Sequence, residues 1–431
     1  MCPRKLTRRK WPNETRQVGL VRHILFLTFI VAFVASSGRL WITLHLIKVS
    51  GYLQHEGDND PIVDPYQESP NTNTNVAVEN GSLQEHPISY FRQLSLANKH
   101  DKEDILNLLQ DNARIQTLTE EAYLSLPTWT EVTNLYGDKP RTVGLDQCAA
   151  YTSHLQTIAG SQKGIAVAGL FNSGTHFLHE LLLTNCNIQF ANGEKRYVGI
   201  HSKTPWGKHN PPHRSLLEEK DPQRQTLPVV TIRDPFRWMA SMCRSPYNVN
   251  WPLNNQQHSV PTRHCPALVP TPHDDQLLKN LGEVPLVVNS TSHYFPATVT
   301  YSKESISKHN SLLHLWQDWY NSYLDLQAPR LMVRMEDLIF FPDQVVPKLC
   351  QCAGGSLIKY NKGGTVLVPS GSAKGLRGDP SSRVTGYLDA IVKYGTASKR
   401  FGGMTEDDLA YFYRHLNSNL MGEFQYPYPE K

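Results

Sequence analysis

The chain has 431 residues, a formal net charge of +4, 39% hydrophobic residues and seven cysteines. It is long enough for one α/β domain with a full core, and it contains no internal repeat. The first twenty-two residues hold seven bases and one acid, which leaves the rest near −2 and excludes the basic footprint of a nucleic-acid binder.

Residues 1–22 read as a cytosolic basic tail and 23–47 as a transmembrane signal anchor. Ile24–Gly38 carries no charge, and Leu40–Ile47 extends the apolar run beyond Arg39. One helix from Ile24 to Ile47 would span ~36 Å, enough for a hydrocarbon core of ~30 Å with tilt. A span over Val18–Gly38, with Arg22 and His23 at one end and Arg39 at the other, is the alternative. A cleaved signal peptide with Ala35-Ser36-Ser37 as its small-residue site is the third reading. The basic flank is amino-terminal, so the reading is a single-pass type II Golgi membrane protein with a lumenal catalytic domain.

Residues 48–139 read as a stem. From Gly51 to about Thr128, residues such as Pro61, Pro65, Pro70 and the Asn-Thr alternation at Asn71–Asn75 bury little apolar surface, which predicts a spacer. Short helices are predicted over Lys102–Ile115 and Thr119–Leu126 at its end. Asn80-Gly81-Ser82 and Asn289-Ser290-Thr291 are glycosylation sequons. The catalytic domain is placed at 140–431.

Gly164–Leu183 (GIAVAGLFNSGTHFLHELLL) carries the strongest local signal. Ile165, Val167 and Leu170 form a buried strand, and Phe177, Leu178, Leu181 and Leu182 recur at helical spacing. Between them Gly174 permits a close turn, and Thr175 is placed to cap the helix. Unpaired amides at such a helix start, with the positive end of its dipole, favour a phosphate or sulfate. Leu227–Arg244 (LPVVTIRDPFRWMASMCR) repeats the pattern: Val229, Val230 and Ile232 make a second buried strand that stops at Pro235. Arg233 then sits at the strand's carboxyl edge, where ligands of open α/β sheets bind, and Ser241 follows two helical turns later. Two anion sites on neighbouring strand ends suit a nucleotide charged at both ends.

Of the seven cysteines, six would be lumenal, and fifteen pairings are open to them. Cys243 and Cys265 bracket a loop rich in proline and asparagine and make the first candidate pair, with Cys148–Cys186 the second. Cys350 and Cys352 are one residue apart on a predicted helix, so their side chains diverge and at least one must pair elsewhere or stay buried.

From about Gly164 to the C-terminus the chain resembles the sulfotransferases that use 3′-phosphoadenylyl sulfate, PAPS. The family marks are a strand-loop-helix ending in Ser-Gly-Thr for the 5′-phosphosulfate and an Arg-x-Pro strand end with a serine eight residues on for the 3′-phosphate. Both are present in order. Arg330–Leu338 followed by Pro342, Lys374–Asp379 (KGLRGD) and Phe424-Gln425-Tyr426 agree with the resemblance, whereas the insertion between Arg244 and Lys308 does not match it. The resemblance implies a P-loop-like three-layer sandwich with a central, mostly parallel sheet. It implies PAPS as co-substrate without a metal, held by Asn172, Ser173, Gly174, Thr175, His176, Arg233, Ser241, Lys374, Gly375 and Arg377.

One position departs from the family. Cytosolic members carry a lysine before Ser-Gly-Thr, where Asn172 stands here, so the cation for the leaving phosphate must come from elsewhere. Lys203 and Lys208 in Gly199–Arg214 are the candidates. Lys208-His209 resembles the family's stretch that supplies the base, which places His209 as the catalytic base, with His201, His176, His213 and Glu194 as alternatives. The acceptor implied is a hydroxyl or amine of a glycan or glycoprotein.

Two other classes share parts of this pattern. A lumenal glycosyltransferase would have the same anchor and stem and would use a metal-binding Asp-x-Asp, for which Asp58-Asn59-Asp60 is the one match. A membrane-anchored nucleotide-binding protein without transferase activity is the other. A P-loop kinase needs Gly-Lys-Ser/Thr, and the chain has Ser173-Gly174-Thr175 instead.

Overall fold

The computed structural model describes residues 84–97, 101–157, 164–188, 199–212, 226–251, 265–266, 268–269, 295–302, 305–358, 365–368 and 380–428. The tail and anchor, Asp58-Asn59-Asp60, both sequons, Glu194, His213, Lys374, Gly375 and Arg377 lie outside the described residues. Among those described, no helix is long and apolar enough to cross a membrane.

The described chain opens with β1 (Glu85–Pro87), α1 (Ile88–Ala97) and α2 (Glu103–Asn107), which runs into a π-helical turn at Leu108–Asn112. Then come β2 (Thr117–Thr119), α3 (Glu120–Ser125) and α4 (Trp129–Tyr136). Thr119 and Thr128 cap α3 and α4 by accepting from the backbone N–H groups of Ala122 and Glu131, and Glu131 closes a capping box. Phe91, Ile105, Leu109, Tyr123, Val132 and Tyr136 are buried in the same cluster as the central strands. Residues 84–139, read from sequence as the end of a stem, thus belong to the compact unit that runs from Gly81 to Lys431. Their capped helices carry apolar stripes that the Pro- and Asn-rich segment before them lacks.

The sheet follows. Its strands are β3 (Thr142–Val143), β4 (Gly164–Gly169), β6 (Ile200–His201), β7 (Thr226–Ile232) and β11 (Leu331–Arg334), with α5 (Cys148–Thr157), α6 (Thr175–Asn185), β5 (Cys186–Asn187) and α7 (Pro235–Arg244) between them. The spatial order is β3-β11-β7-β4-β6. β11, β7, β4 and β6 are parallel and β3 is antiparallel, so the protein is α/β with a mixed, mostly parallel central sheet. Every residue of β4 is buried, as a strand covered on both faces requires. Part of the insertion after α7 forms a small antiparallel sheet of β8 (Val249–Asn250), β9 (Ala297–Ser302) and β10 (Ser305–His309). The remaining elements are α8 (Leu312–Leu324), α9 (Met335–Phe340), α10 (Pro342–Cys352), β12 (Ser356–Leu357), α11 (Pro380–Gly395), α12 (Glu406–His415) and α13 (Ser418–Phe424).

Cys243 bonds to Cys265, as the bracketing of the loop predicts. The Cys148–Cys186 expectation is corrected: Cys148 bonds to Cys352 and Cys186 to Cys350. Two residues along a helix turn the side chain by ~200°, so the two cysteines of α10 take partners on different sides, one on α5 and one at β5. Three disulfides point to an oxidising compartment.

Candidate functional site

β4 and β7 lie side by side in the sheet, and the next strands after them, β6 and β11, lie on opposite sides of the pair. That divergence makes a crevice beyond their carboxyl ends, where the loops after β4 and β7 meet. The structure brings Asn172, Ser173, Gly174, Thr175, Arg233 and Ser241 together there.

The loop after β4 is wound tightly. Asn172 and Gly174 are both left-handed, with φ of 59° and 90°. The left-handed backbone at Gly174 favours glycine, and a Cβ there would also press on the Met335 side chain, Cγ and Sδ at 2.8 Å. Gly174, not Thr175, is the residue that caps α6, because the left-handed turn falls one position earlier than the sequence pattern indicated; Thr175 is the first helical residue. No side chain caps the helix, so its first-turn amides are spent on no side-chain acceptor, the arrangement that favours an anion. Ser173 is committed to the loop itself. Its Oγ donates to Leu170 O at 2.7 Å and lies 3.0 Å from Thr231 Oγ1, and its N–H also donates to Leu170 O. His176 lies on the more exposed face of α6, 4.0 Å from Glu180.

Asn172 does not reach into the crevice with its amide. Its Nδ2 donates to Ser245 O at 2.7 Å and to Ser241 O at 3.3 Å, which pins the loop to the end of α7. Its carbonyl accepts from Arg233 Nη1 at 2.7 Å, so the two anion loops are bonded to each other. Arg233 is 3% exposed, yet its Nε and Nη2 have no hydrogen-bond partner among the described residues. Burying two guanidinium donors unpaired costs free energy that a bound anion would recover. Ser241 Oγ accepts from Arg244 Nη2 at 2.9 Å, which adds a second guanidinium beside the first. Asp234 caps α7 through Phe236 N and Arg237 N and pairs with Arg400 at 2.7 Å.

His209 and Lys208 approach from the loop after β6. Gly169 N donates to Lys208 O at 3.0 Å, and His209 Nδ1 donates to Gly169 O at 2.7 Å, so these residues run along the end of β4. The carbonyl can only accept, which puts the proton on Nδ1 and a lone pair on Nε2. Trp319 Nε1 donates to His209 O, and the ring packs on Phe171 with centroids 4.5 Å apart. Burial, with Lys208 adding repulsion, lowers His209 to about 4, against a raising contribution from the Gly169 bond, so the ring is neutral at pH 7. Lys208 is lowered by burial and by Lys203, which is exposed nearby. The alternative His201 lies at the opposite end of β4, its ring against Gly164. At ~3.3 Å per residue that is well over 10 Å from the loop at 170–174.

Three features were not read from sequence. Arg244 closes the Leu227–Arg244 stretch three residues after Ser241 and has no motif position of its own. Tyr394 stacks under Arg233 with Cζ 4.9 Å from its ring centroid, and Lys393 stands beside it. Both come from α11, more than 150 residues away in sequence, and carry no motif.

Among the described residues no group of three or more His, Cys, Asp or Glu side chains is arranged to hold a metal ion. No family model, curated protein or solved structure matches the chain.

Proposed function

We propose that this protein is a PAPS-dependent sulfotransferase that modifies a hydroxyl or amine of a glycan or glycoprotein in the secretory pathway. The observation that carries the reading is Arg233, buried at the carboxyl end of β7 with two unpartnered donors and bonded to the loop that opens α6. In this reading the 3′-phosphate sits on Arg233 and Ser241, and the 5′-phosphosulfate on the amides from Gly174 onward. The P-loop-like strand-loop-helix, a Golgi location and type II anchoring through residues 23–47 belong to the same proposal, with the disulfides supporting an oxidising lumen.

The chemistry follows from the parts. His209 Nε2 takes the acceptor's proton, the acceptor oxygen or nitrogen bonds to sulfur, and the bond from sulfur to the bridging phosphate oxygen breaks in line. The electron pair leaves with 3′,5′-ADP. Lys208 and Lys203 supply the charge that stabilises the leaving phosphate in place of a lysine at position 172.

The test is calorimetric binding of 3′,5′-ADP together with transfer of labelled sulfate from PAPS to a panel of desulfated glycans. Arg233→Ala should weaken 3′,5′-ADP by about 1.5–3 kcal/mol, roughly 10- to 150-fold, and Ser241→Ala by less. Unchanged binding in Arg233→Ala removes the 3′-phosphate assignment.

A further inference from the structure

We propose that Lys393 of α11 is a ligand of the anion site headed by Arg233, completing it from a third element and binding a phosphate monoester together with a proton. The inference rests on the nucleotide reading above, and it concerns a residue that the sequence motifs do not reach.

Lys393 Nζ lies 5.6 Å from the ring centroid of Tyr394, and Arg233 Cζ lies 4.9 Å from the same centroid, so one aromatic ring gathers a cation from β7's end and one from α11. The placement is held firmly. Arg237 Nη1 and Nη2 donate to Lys399 O and Thr396 O at 2.6 Å each, which ties the end of α11 to α7. Tyr136 Oη donates to Tyr394 O at 2.9 Å, fixing the backbone beside Lys393.

The groups acting on Lys393 from the packed elements are Arg233 at the end of β7 and Arg237 and Arg244 on α7, all cations, with Tyr394 beside it on its own helix. None of these groups is a carboxylate, and Asp234, next to Arg233 in the chain, is paired with Arg400. Cations converging on a buried point with unpartnered guanidinium donors make a site that a multiply charged anion stabilises.

A thermodynamic consequence separates Lys393 from a bystander. Burial first, then the neighbouring cations, lower it to about 6, so at pH 7–8 it is mostly neutral. A dianionic phosphate favours the ammonium form, so binding takes up a proton. The monoester's own second ionisation lies near 6, so above pH 7 the slope belongs to the protein.

The experiment is titration calorimetry of the whole protein with 3′,5′-ADP at pH 7, 8 and 9, in buffers of different ionisation enthalpy. The wild type should take up most of a proton at pH 7 and keep doing so until pH passes the raised value of Lys393 in the complex, with affinity falling by up to about tenfold per pH unit over that range. Lys393→Met should weaken binding by tenfold or more at pH 7 and abolish the proton uptake. Lys393→Arg should restore affinity without the uptake, because arginine stays charged throughout. Proton-independent binding in the wild type, with Lys393→Met binding equally well, overturns the inference and leaves the nucleotide reading standing. Inorganic phosphate separates the other case. If 3′,5′-ADP fails to bind while inorganic phosphate binds in a manner weakened by Lys393→Met, the anion site stands and the nucleotide reading falls.

Discussion

His209 shows how one residue's surroundings set its chemistry. Because its Nδ1–H is spent on Gly169 O, the lone pair is left on Nε2, and burial holds the ring neutral down to about pH 4. In the proposed role of base, a group so depressed is weak but always available, and it would work only when closely placed against the acceptor. His209→Ala should therefore lower kcat by about 10²–10⁴ with little change in 3′,5′-ADP affinity. The sign of the pH dependence follows from the lowered value: for the free wild-type enzyme, kcat/KM should hold as pH falls through 6.5 and drop only near 4. Steady-state rates between pH 4 and 8 check both. An acidic limb at 6.5 would mean that His209 is not the group titrating.

At the scale of elements, the site depends on how the loop after β4 is tied to α7. Asn172 does this twice, with its amide on Ser241 O and Ser245 O and its carbonyl on Arg233. Asparagine is also among the few residues other than glycine that tolerate the left-handed conformation found here. Position 172 is therefore a clamp, and an Asn172→Lys change that introduced the lysine of the sulfotransferases the chain resembles would lose the clamp and strain the backbone. We expect Asn172→Lys and Asn172→Ala each to lower stability by about 1–2 kcal/mol and to weaken 3′,5′-ADP through a displaced Arg233. Chemical denaturation and calorimetry on the two variants test this. A stable, more active Asn172→Lys enzyme would return the position to direct contact with the leaving group.

At the scale of the whole molecule, a buried polar network joins both ends of the described chain to the sheet. Arg334 and Asp337, both fully buried, pair with each other; Arg334 also donates to Tyr136 O and Phe424 O, and Asp337 accepts from Arg141 N. Next to them Glu336 accepts from Asp234 N and from Tyr426 Oη. Burial, with Asp234 adding repulsion, raises Glu336 to about 7. A carboxyl raised in the fold contributes stability that is fully present below its unfolded value of 4.5 and is lost as pH rises through about 7. Thermal melting should accordingly show the wild type losing stability between pH 5 and 8, and Glu336→Gln, which is neutral throughout, losing less. Parallel pH profiles for the two proteins would remove Glu336 as the titrating group.

The sequence by itself determined the features that are local. The runs at Gly164–Gly169 and Thr226–Ile232 are strands because they carry no charge and hold Ile165 and Val167 in one and Val229, Val230, Thr231 and Ile232 in the other, and Pro235 fixes where β7 must end. Arg233 was legible for the same reason, since Pro235 stops the strand two residues on and leaves Arg233 at its carboxyl edge. Tertiary structure decided whatever depends on distant segments meeting. The pairing of Cys148 with Cys352 and of Cys186 with Cys350 follows from where α10 docks, a separation of 204 and 164 residues. The inward hydroxyl of Ser173, the clamp at Asn172 and the arrival of Tyr394 and Lys393 beside Arg233 belong to the same class. A pattern along the chain reports which face a residue buries, but which partner it finds there is fixed only when loops and helices from elsewhere close over the sheet.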